Sequence, residues 1–204
     1  MTSPKRPIST LVAIVESALI GGVNLVQFRD KGQYSDVERV EVCSTMKDLC
    51  HRRNVPLIVN DDPQLARRLG ADGVHVGRED PSPRIARALL GPDALVGVTV
   101  YGKPGEEQTA EAAGADYLGI GPFFPSLTKP QEPEMPLYLL DRVVHRSPLP
   151  VFAIGGIDPE RAQQLARHGV AGVAVVSAIM DAEDPRRAAQ DLREAFEKGR
   201  TGPT

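Results

Sequence analysis

Gly70-Ala-Asp-Gly-Val-His-Val-Gly77 returns as Gly114-Ala-Asp-Tyr-Leu-Gly-Ile-Gly121 and, more loosely, as Gly169-Val-Ala-Gly-Val-Ala-Val-Val176. Each copy reads as a glycine ending a helix, a tight turn and a short buried strand. Outward from these copies, β-branched runs at 23–28, 56–59, 73–76, 95–98, 117–120, 151–154 and 173–176 are mostly continuous in apolar residues. That pattern predicts parallel strands covered on both faces. Helical patterns fall between them, at 8–19, 36–53, 104–113, 159–168 and 185–198. Asp62 before Pro63 reads as a further helix N-cap. Alternating β and α elements with an internal βα repeat predict an α/β fold, a (β/α)8-type TIM barrel. Seven strands are visible where such a barrel has eight. The absent one should precede 8–19, where Met1 to Pro7 is polar and proline-bearing. The first strand is therefore expected to be missing or irregular, in a single barrel domain over 1–204.

Composition narrows the function. The chain has 204 residues, 41% of them hydrophobic, and a formal net charge of −3. Nothing in that balance favours nucleic acid or an anionic membrane as partner. No apolar run is long enough to span a bilayer. Residues 11–20 are interrupted by Glu16 and Ser17 and followed by Gly21-Gly22, unlike a signal peptide. A cytoplasmic protein acting on small molecules is the expectation, with a homo-oligomer left open. Cys43 and Cys50 have no metal-ligand pattern around them and read as buried small hydrophobes. No Gly-x-Gly-x-x-Gly opens a helix, so dinucleotide binding has no support.

In a barrel of this class the functional residues follow the strands. Reading just past each strand collects Gln27, Arg29 and Lys31, then Asn60 and Asp61, Asp80, Thr99, Ser126, Thr128 and Lys129, Gly155 and Gly156, and Ser177. Positions alone generated that set, and it gathers cations, carboxylates, hydroxyls and glycines. In Gln27-Phe-Arg29-Asp-Lys31 alternate side chains share one side of an extended segment, which suits a multiply charged phosphate; a solvated strand end is the plainer alternative. Asp61 and Asp80 follow different strands, and together with phosphate oxygens and water two such carboxylates suit Mg²⁺. Gly155-Gly156 and Val176-Ser177 follow the last two strands, where barrels of this kind form a phosphate site from backbone N–H groups. His75, inside its strand, reads as a satisfied interior histidine.

These motifs together resemble the thiamine-phosphate synthase family: Gln27-Phe-Arg-Asp-Lys31, Asn60-Asp61, Ala71 to Asp80, Gly119 to Lys129 and Ala153 to Ile157 occur in the family's order and spacing. The resemblance runs from about Val12 to the last helix. It implies a transferase that joins hydroxymethylpyrimidine diphosphate to thiazole phosphate, giving thiamine phosphate and pyrophosphate. It also implies that Gln27, Phe28, Arg29, Asp30, Lys31, Asn60, Thr99 and Lys129 bind the pyrimidine diphosphate, with Arg29, Lys31 and Lys129 neutralising the leaving group. By the same resemblance Asp61 and Asp80 hold Mg²⁺, and Ser126, Leu127, Thr128, Gly155, Gly156, Val176 and Ser177 bind the thiazole phosphate. The chain departs from the family in several places. Arg78 stands where the family usually has Gln, Ser126 and Thr99 replace other hydroxyl residues, and a usual glycine is absent after Lys129. Two rivals are weighed: a thiazole tautomerase-like isomerase, and a non-catalytic barrel binding a phosphorylated ligand. The tautomerase uses a histidine where this chain has Tyr101. The Arg, Lys and Asp set exceeds what holding one phosphate requires.

Overall fold

A computed structural model describes residues 1–2, 6–125 and 132–202. Its seven strands are β1 (Val26–Phe28), β2 (Leu57–Asn60), β3 (Gly73–Val76), β4 (Leu95–Val100), β5 (Tyr117–Ile120), β6 (Val151–Ile154) and β7 (Gly172–Ala174). They form one sheet in sequential order, every neighbouring pair parallel. Around it lie α1 (Ile8–Ile20), α2 (Asp36–His51), α3 (Pro63–Leu69), α4 (Pro83–Leu90), α5 (Glu106–Ala112), α6 (Leu137–Arg146), α7 (Pro159–Ala166), α8 (Ser177–Met180) and α9 (Pro185–Thr201). The fold is a TIM-like barrel without a first strand among the described residues. No helix described is long and apolar enough to cross a membrane.

The helix starts are written in the sequence. Asp62, Ser82, Asp158 and Asp184 each accept a backbone N–H with a side-chain oxygen and are each followed by proline. The cap satisfies an orphan donor, and proline has none to lose. Ser35 and Glu38 form a reciprocal capping box on α2.

The repeated Gly-Ala-Asp acquires a structural reason. The Asp72 carboxylate accepts the Leu57 N–H at 2.7 Å, and Asp116 accepts the Val96 N–H at 2.6 Å. Each aspartate thus ties the entry of its own strand to the start of the preceding one and fixes the register at the strands' N-terminal ends. Arg87 reinforces the second copy with an ion pair to Asp116 at 2.5 Å and bonds to the Gly114 and Ala94 carbonyls. In the third copy Ala171 replaces the aspartate, and only the backbone bond from Ala171 to Val151 remains, at 2.8 Å.

The strands' outer residues pack on the helices in two clusters. One includes Phe28, Leu57, Val59, Val74 and Val76 with α1 to α3; the other includes Leu118, Ile120, Val151 and Ala153 with α6, α7 and α9. The inner residues differ in kind. Register aligns His75 with Gly97, Gly97 with Tyr117, Gly119 with Phe152, and Phe152 with Gly172. The rings fill the space the glycines leave: a Cβ on Gly97 would lie 2.1 Å from the Tyr117 ring and 2.5 Å from the His75 ring. Tyr117 meets His75 at 5.5 Å between centroids and Phe152 edge-on at 5.4 Å.

Closure between β7 and β1 takes the place of a strand. The Met1 nitrogen donates to the Val175 carbonyl at 2.9 Å, the Thr2 N–H to the Gln27 carbonyl at 2.9 Å, and the Arg29 N–H to Thr2 Oγ1 at 2.8 Å. Outside this seam α9 packs on both α1 and α7. Gly21 lets α1 approach the Arg186 carbonyl and Ala189, and Gly199 lets α9 approach Gln163 and Ala166 of α7.

Four strands differ in their bounds from the reading of the sequence; the second shifts by one residue to Leu57–Asn60 and the last runs Gly172–Ala174 rather than 173–176. The first strand starts at Val26 rather than at 23, because Val23 N–H still bonds back to Ala18 of α1. The fourth extends to Val100, so Thr99 lies inside a strand. Cys43 and Cys50 are fully buried and free, and burial pushes both thiols up to about 12. Native protein at pH 8 should therefore react with a thiol reagent far more slowly than protein in denaturant. Equal rates would show that the α2 face opens readily.

Candidate active site

The C-terminal ends of the strands surround a cleft of about 680 Å³. Its floor carries inward residues of four strands: Gln27, Asn60, His75 and Thr99. Its wall carries Arg29, Lys31, Asp61, Arg78 and Asp80 on one side and Gly155, Gly156, Val176 and Ser177 on another. Of the residues read from the sequence, the structure gathers Gln27, Arg29, Lys31, Asn60, Asp61, Asp80, Thr99, Gly155, Gly156, Val176 and Ser177 here. Ser126, Leu127, Thr128 and Lys129 lie outside the described residues.

Phe28 and Asp30 turn the other way, which corrects their placement among the binding residues. Alternation along the extended segment sends Phe28 into the core with Tyr34, where it is 1% exposed. It sends Asp30 to Arg39, with Nε 3.1 Å from the carboxylate. Arg39 also holds the α3 cap residue Asp62 at 3.1 Å. Asp30 is thus part of the scaffold under the cleft.

Three features give the cleft its chemistry. The first is an orphan acceptor: Gln27 is 5% exposed, and its Oε1 has no hydrogen-bond partner among the described residues. A buried carbonyl oxygen without a donor is costly, so a ligand donor would find it prepared. The second is a carboxylate pair. Asp61 adopts φ +67° at the end of β2, where its N–H bonds the His75 carbonyl at 2.8 Å, and its Oδ2 lies 2.5 Å from Lys31 Nζ. A non-glycine residue held in that region at a cleft is locally strained. Asp80 accepts the Gly77 N–H at 2.7 Å. Burial, and then the adjacent Asp61, push the Asp80 carboxyl up, opposed by the Gly77 N–H and the Lys31 charge. Among the described residues no group of three or more His, Cys, Asp or Glu is placed to hold a metal.

The third feature is the polar ring stack. His75 bonds Thr99 Oγ1 through Nε2 at 2.8 Å and Tyr117 Oη through Nδ1 at 3.1 Å. Burial, then the Asp116 charge, raise the Tyr117 phenol, so it stays protonated and able to donate to Nδ1. The two hydroxyls, each able to donate or accept, satisfy both ring nitrogens in either neutral tautomer. His75 is satisfied, as its sequence context suggests, yet it also lines the cleft and orients a hydroxyl there.

The Gly155-Gly156 turn is built by packing. Its residues have φ +98° and +63°, and a Cβ on Gly156 would stand 2.3 Å from the Pro125 carbonyl oxygen. Arg161 holds the turn by donating to the Gly156 carbonyl at 2.6 Å while lying 4.7 Å over the Phe124 ring. Ser177 follows as the first residue of α8. Arg161 escaped the sequence reading because its ring partner Phe124 lies in the loop after β5, far from it in the chain.

Comparison with known proteins agrees with this geometry. Residues 1–179 match the family model described as thiamine monophosphate synthase. A thiamine-phosphate synthase of Thiobacillus denitrificans is 48% identical over 187 residues, covering 91% of this chain and 88% of that protein. One from Nitrosococcus oceani is 40% identical over 193 residues, covering 95% and 87%. A solved thiamine phosphate pyrophosphorylase from Pyrococcus furiosus superposes with a TM-score of 0.84 at 34% identity, over 97% of this chain and 94% of that one.

Proposed function

The chain belongs to the thiamine monophosphate synthase family, and from that premise we propose that it joins hydroxymethylpyrimidine diphosphate to thiazole phosphate in this cleft, releasing pyrophosphate. The observation that carries the assignment of roles is the placement of Arg29 and Lys31 beside the Asp61–Asp80 pair at the same strand ends. A single phosphate needs no such pair. A diphosphate leaving group does, because its charge grows as the bond breaks.

Gln27 Oε1 would accept from the pyrimidine's amine, with Asn60 and Thr99 beside it. Arg29 and Lys31 would bind the diphosphate, joined by Lys129. Asp61 and Asp80 fit Mg²⁺: they are hard oxygen donors, their mutual repulsion favours a divalent cation, and this ion needs few carboxylates when substrate oxygens complete its shell. Bound there, Mg²⁺ would supply charge neutralisation at the diphosphate. The methylene C–O bond breaks and its electron pair leaves with pyrophosphate. The aminopyrimidine delocalises the resulting cation until the thiazole nitrogen donates its lone pair to form the C–N bond. No protein nucleophile and no proton transfer are needed for that balance. The chain's work is orientation, charge neutralisation and exclusion of water. Such chemistry on small phosphorylated compounds suits a cytoplasmic enzyme.

Gly155, Gly156, Val176 and Ser177 would take the thiazole phosphate. Ser177→Ala should raise KM for thiazole phosphate by roughly 2- to 10-fold, the worth of one hydrogen bond. Steady-state kinetics with each substrate varied in turn checks this, and an effect confined to the pyrimidine would contradict the assignment. The reading as a whole is tested by pyrophosphate release from purified protein given both substrates, with Mg²⁺ and then with EDTA. Release requiring both substrates and Mg²⁺ is expected. A folded protein that releases none would overturn the reading.

A further inference from the structure

We propose that Arg78, held on the face of Tyr101, is a further diphosphate-binding residue of this chain, and that Tyr101 is the residue that positions it. The inference rests on the synthase reading and adds a group to its diphosphate site. Arg78 lies in the loop between β3 and α4, two residues before Asp80 and next to Gly77, whose N–H holds the Asp80 carboxylate. Its guanidinium carbon sits 4.0 Å from the centroid of the Tyr101 ring, and both residues line the cleft.

A guanidinium stacked by its face keeps the N–H donors of its edge available. Among the described residues no carboxylate pairs with Arg78, although Glu79 and Asp80 follow it in the chain. Lys31, by contrast, is already engaged by Asp61. The backbone that carries the ring beneath Arg78 is itself fixed. Glu106 accepts the Tyr101 N–H at 2.7 Å and the Lys103 N–H at 2.9 Å, which anchors the turn after β4 to the start of α5. The stack therefore places an unneutralised, bidentate cation at the rim of the cleft, on the same loop as Asp80. A planar fork suits phosphate oxygens better than a point charge or an amide does.

The test is calorimetric titration of inorganic pyrophosphate into the wild type, Arg78→Gln, Arg78→Lys, Tyr101→Phe and Tyr101→Leu, each in Mg²⁺ buffer, with KM for both substrates measured alongside. Arg78→Gln should raise the pyrophosphate Kd about tenfold, the low end for a charged hydrogen bond because Arg78 is exposed. KM for the pyrimidine diphosphate should rise with it, and KM for thiazole phosphate should stay put. Arg78→Lys should recover part of the loss. Tyr101→Phe keeps the stack and should bind as the wild type does, whereas Tyr101→Leu should share the loss. Unchanged pyrophosphate affinity in Arg78→Gln, while the wild type turns over normally, overturns the Arg78 assignment and leaves the synthase reading standing. Wild-type affinity in Tyr101→Leu overturns the positioning role. A wild type that binds pyrophosphate without turnover overturns the synthase reading instead, and the Arg78→Gln affinity ratio still decides the inference. A wild type that turns over but binds no pyrophosphate overturns the Arg78 inference and leaves the synthase reading standing.

Discussion

Asp61→Asn is expected to lower turnover by about 10²- to 10³-fold, the usual cost of losing a group that faces developing charge. Asparagine is the informative replacement because of the backbone. Asp61 sits at φ +67°, a region that asparagine tolerates and most residues do not. The substitution therefore removes the charge and keeps the local conformation. Its ion pair with Lys31 is partly solvent-exposed, so its loss should cost no more than about 1 kcal/mol of stability. The expected outcome is a nearly unchanged melting temperature, a collapse in rate and a raised Mg²⁺ requirement. Arg29→Ala should lose rate comparably, with its loss falling on the diphosphate substrate. Wild-type turnover in both variants would mean that the diphosphate sits elsewhere in the cleft.

Gly156→Ala is expected to act on the fold first. A side chain there meets two penalties at once: φ of +63°, and a Cβ 2.3 Å from the Pro125 carbonyl oxygen and 2.8 Å from that of Phe124. Strain in the left-handed region and overpacking against backbone together cost roughly 2–5 kcal/mol. For a chain of this size that lowers Tm by about 5–15 °C. Since the loop that must yield also borders the pocket proposed for thiazole phosphate, KM for thiazole phosphate should rise in whatever protein remains folded. Thermal denaturation followed by circular dichroism checks the first effect, and an unshifted transition would show that the 122–125 loop has slack.

The difference between what could and could not be read in advance follows interaction range. Strand positions were legible because helix-facing residues such as Val74, Val76, Leu118 and Ile120 form β-branched or aliphatic runs. The cleft side of β1 was legible too, since period-two alternation groups Gln27, Arg29 and Lys31. The same alternation excludes Phe28 and Asp30, and extending the site to the whole motif overrode that signal. Asp62 was recognisable as a cap because its partner is three residues away. The His75–Tyr117 and Arg78–Tyr101 contacts join different strands or loops, and nothing in either neighbourhood announces the other. Such pairs become visible only when the parallel register is known.

The seam between β7 and β1 separates Gln27 and Arg29, proposed for one substrate, from Val176 and Ser177, proposed for the other. Elsewhere around the ring, neighbouring strands share a ladder; here, among the described residues, Met1 and Thr2 supply single bonds, with α9 as backing outside. In elastic terms this seam is, among the described residues, a compliant joint between the two proposed ligand pockets. Small local openings need the least free energy where few bonds must break. Opening at this seam would act on the coordinate that sets the distance between the two proposed binding sites.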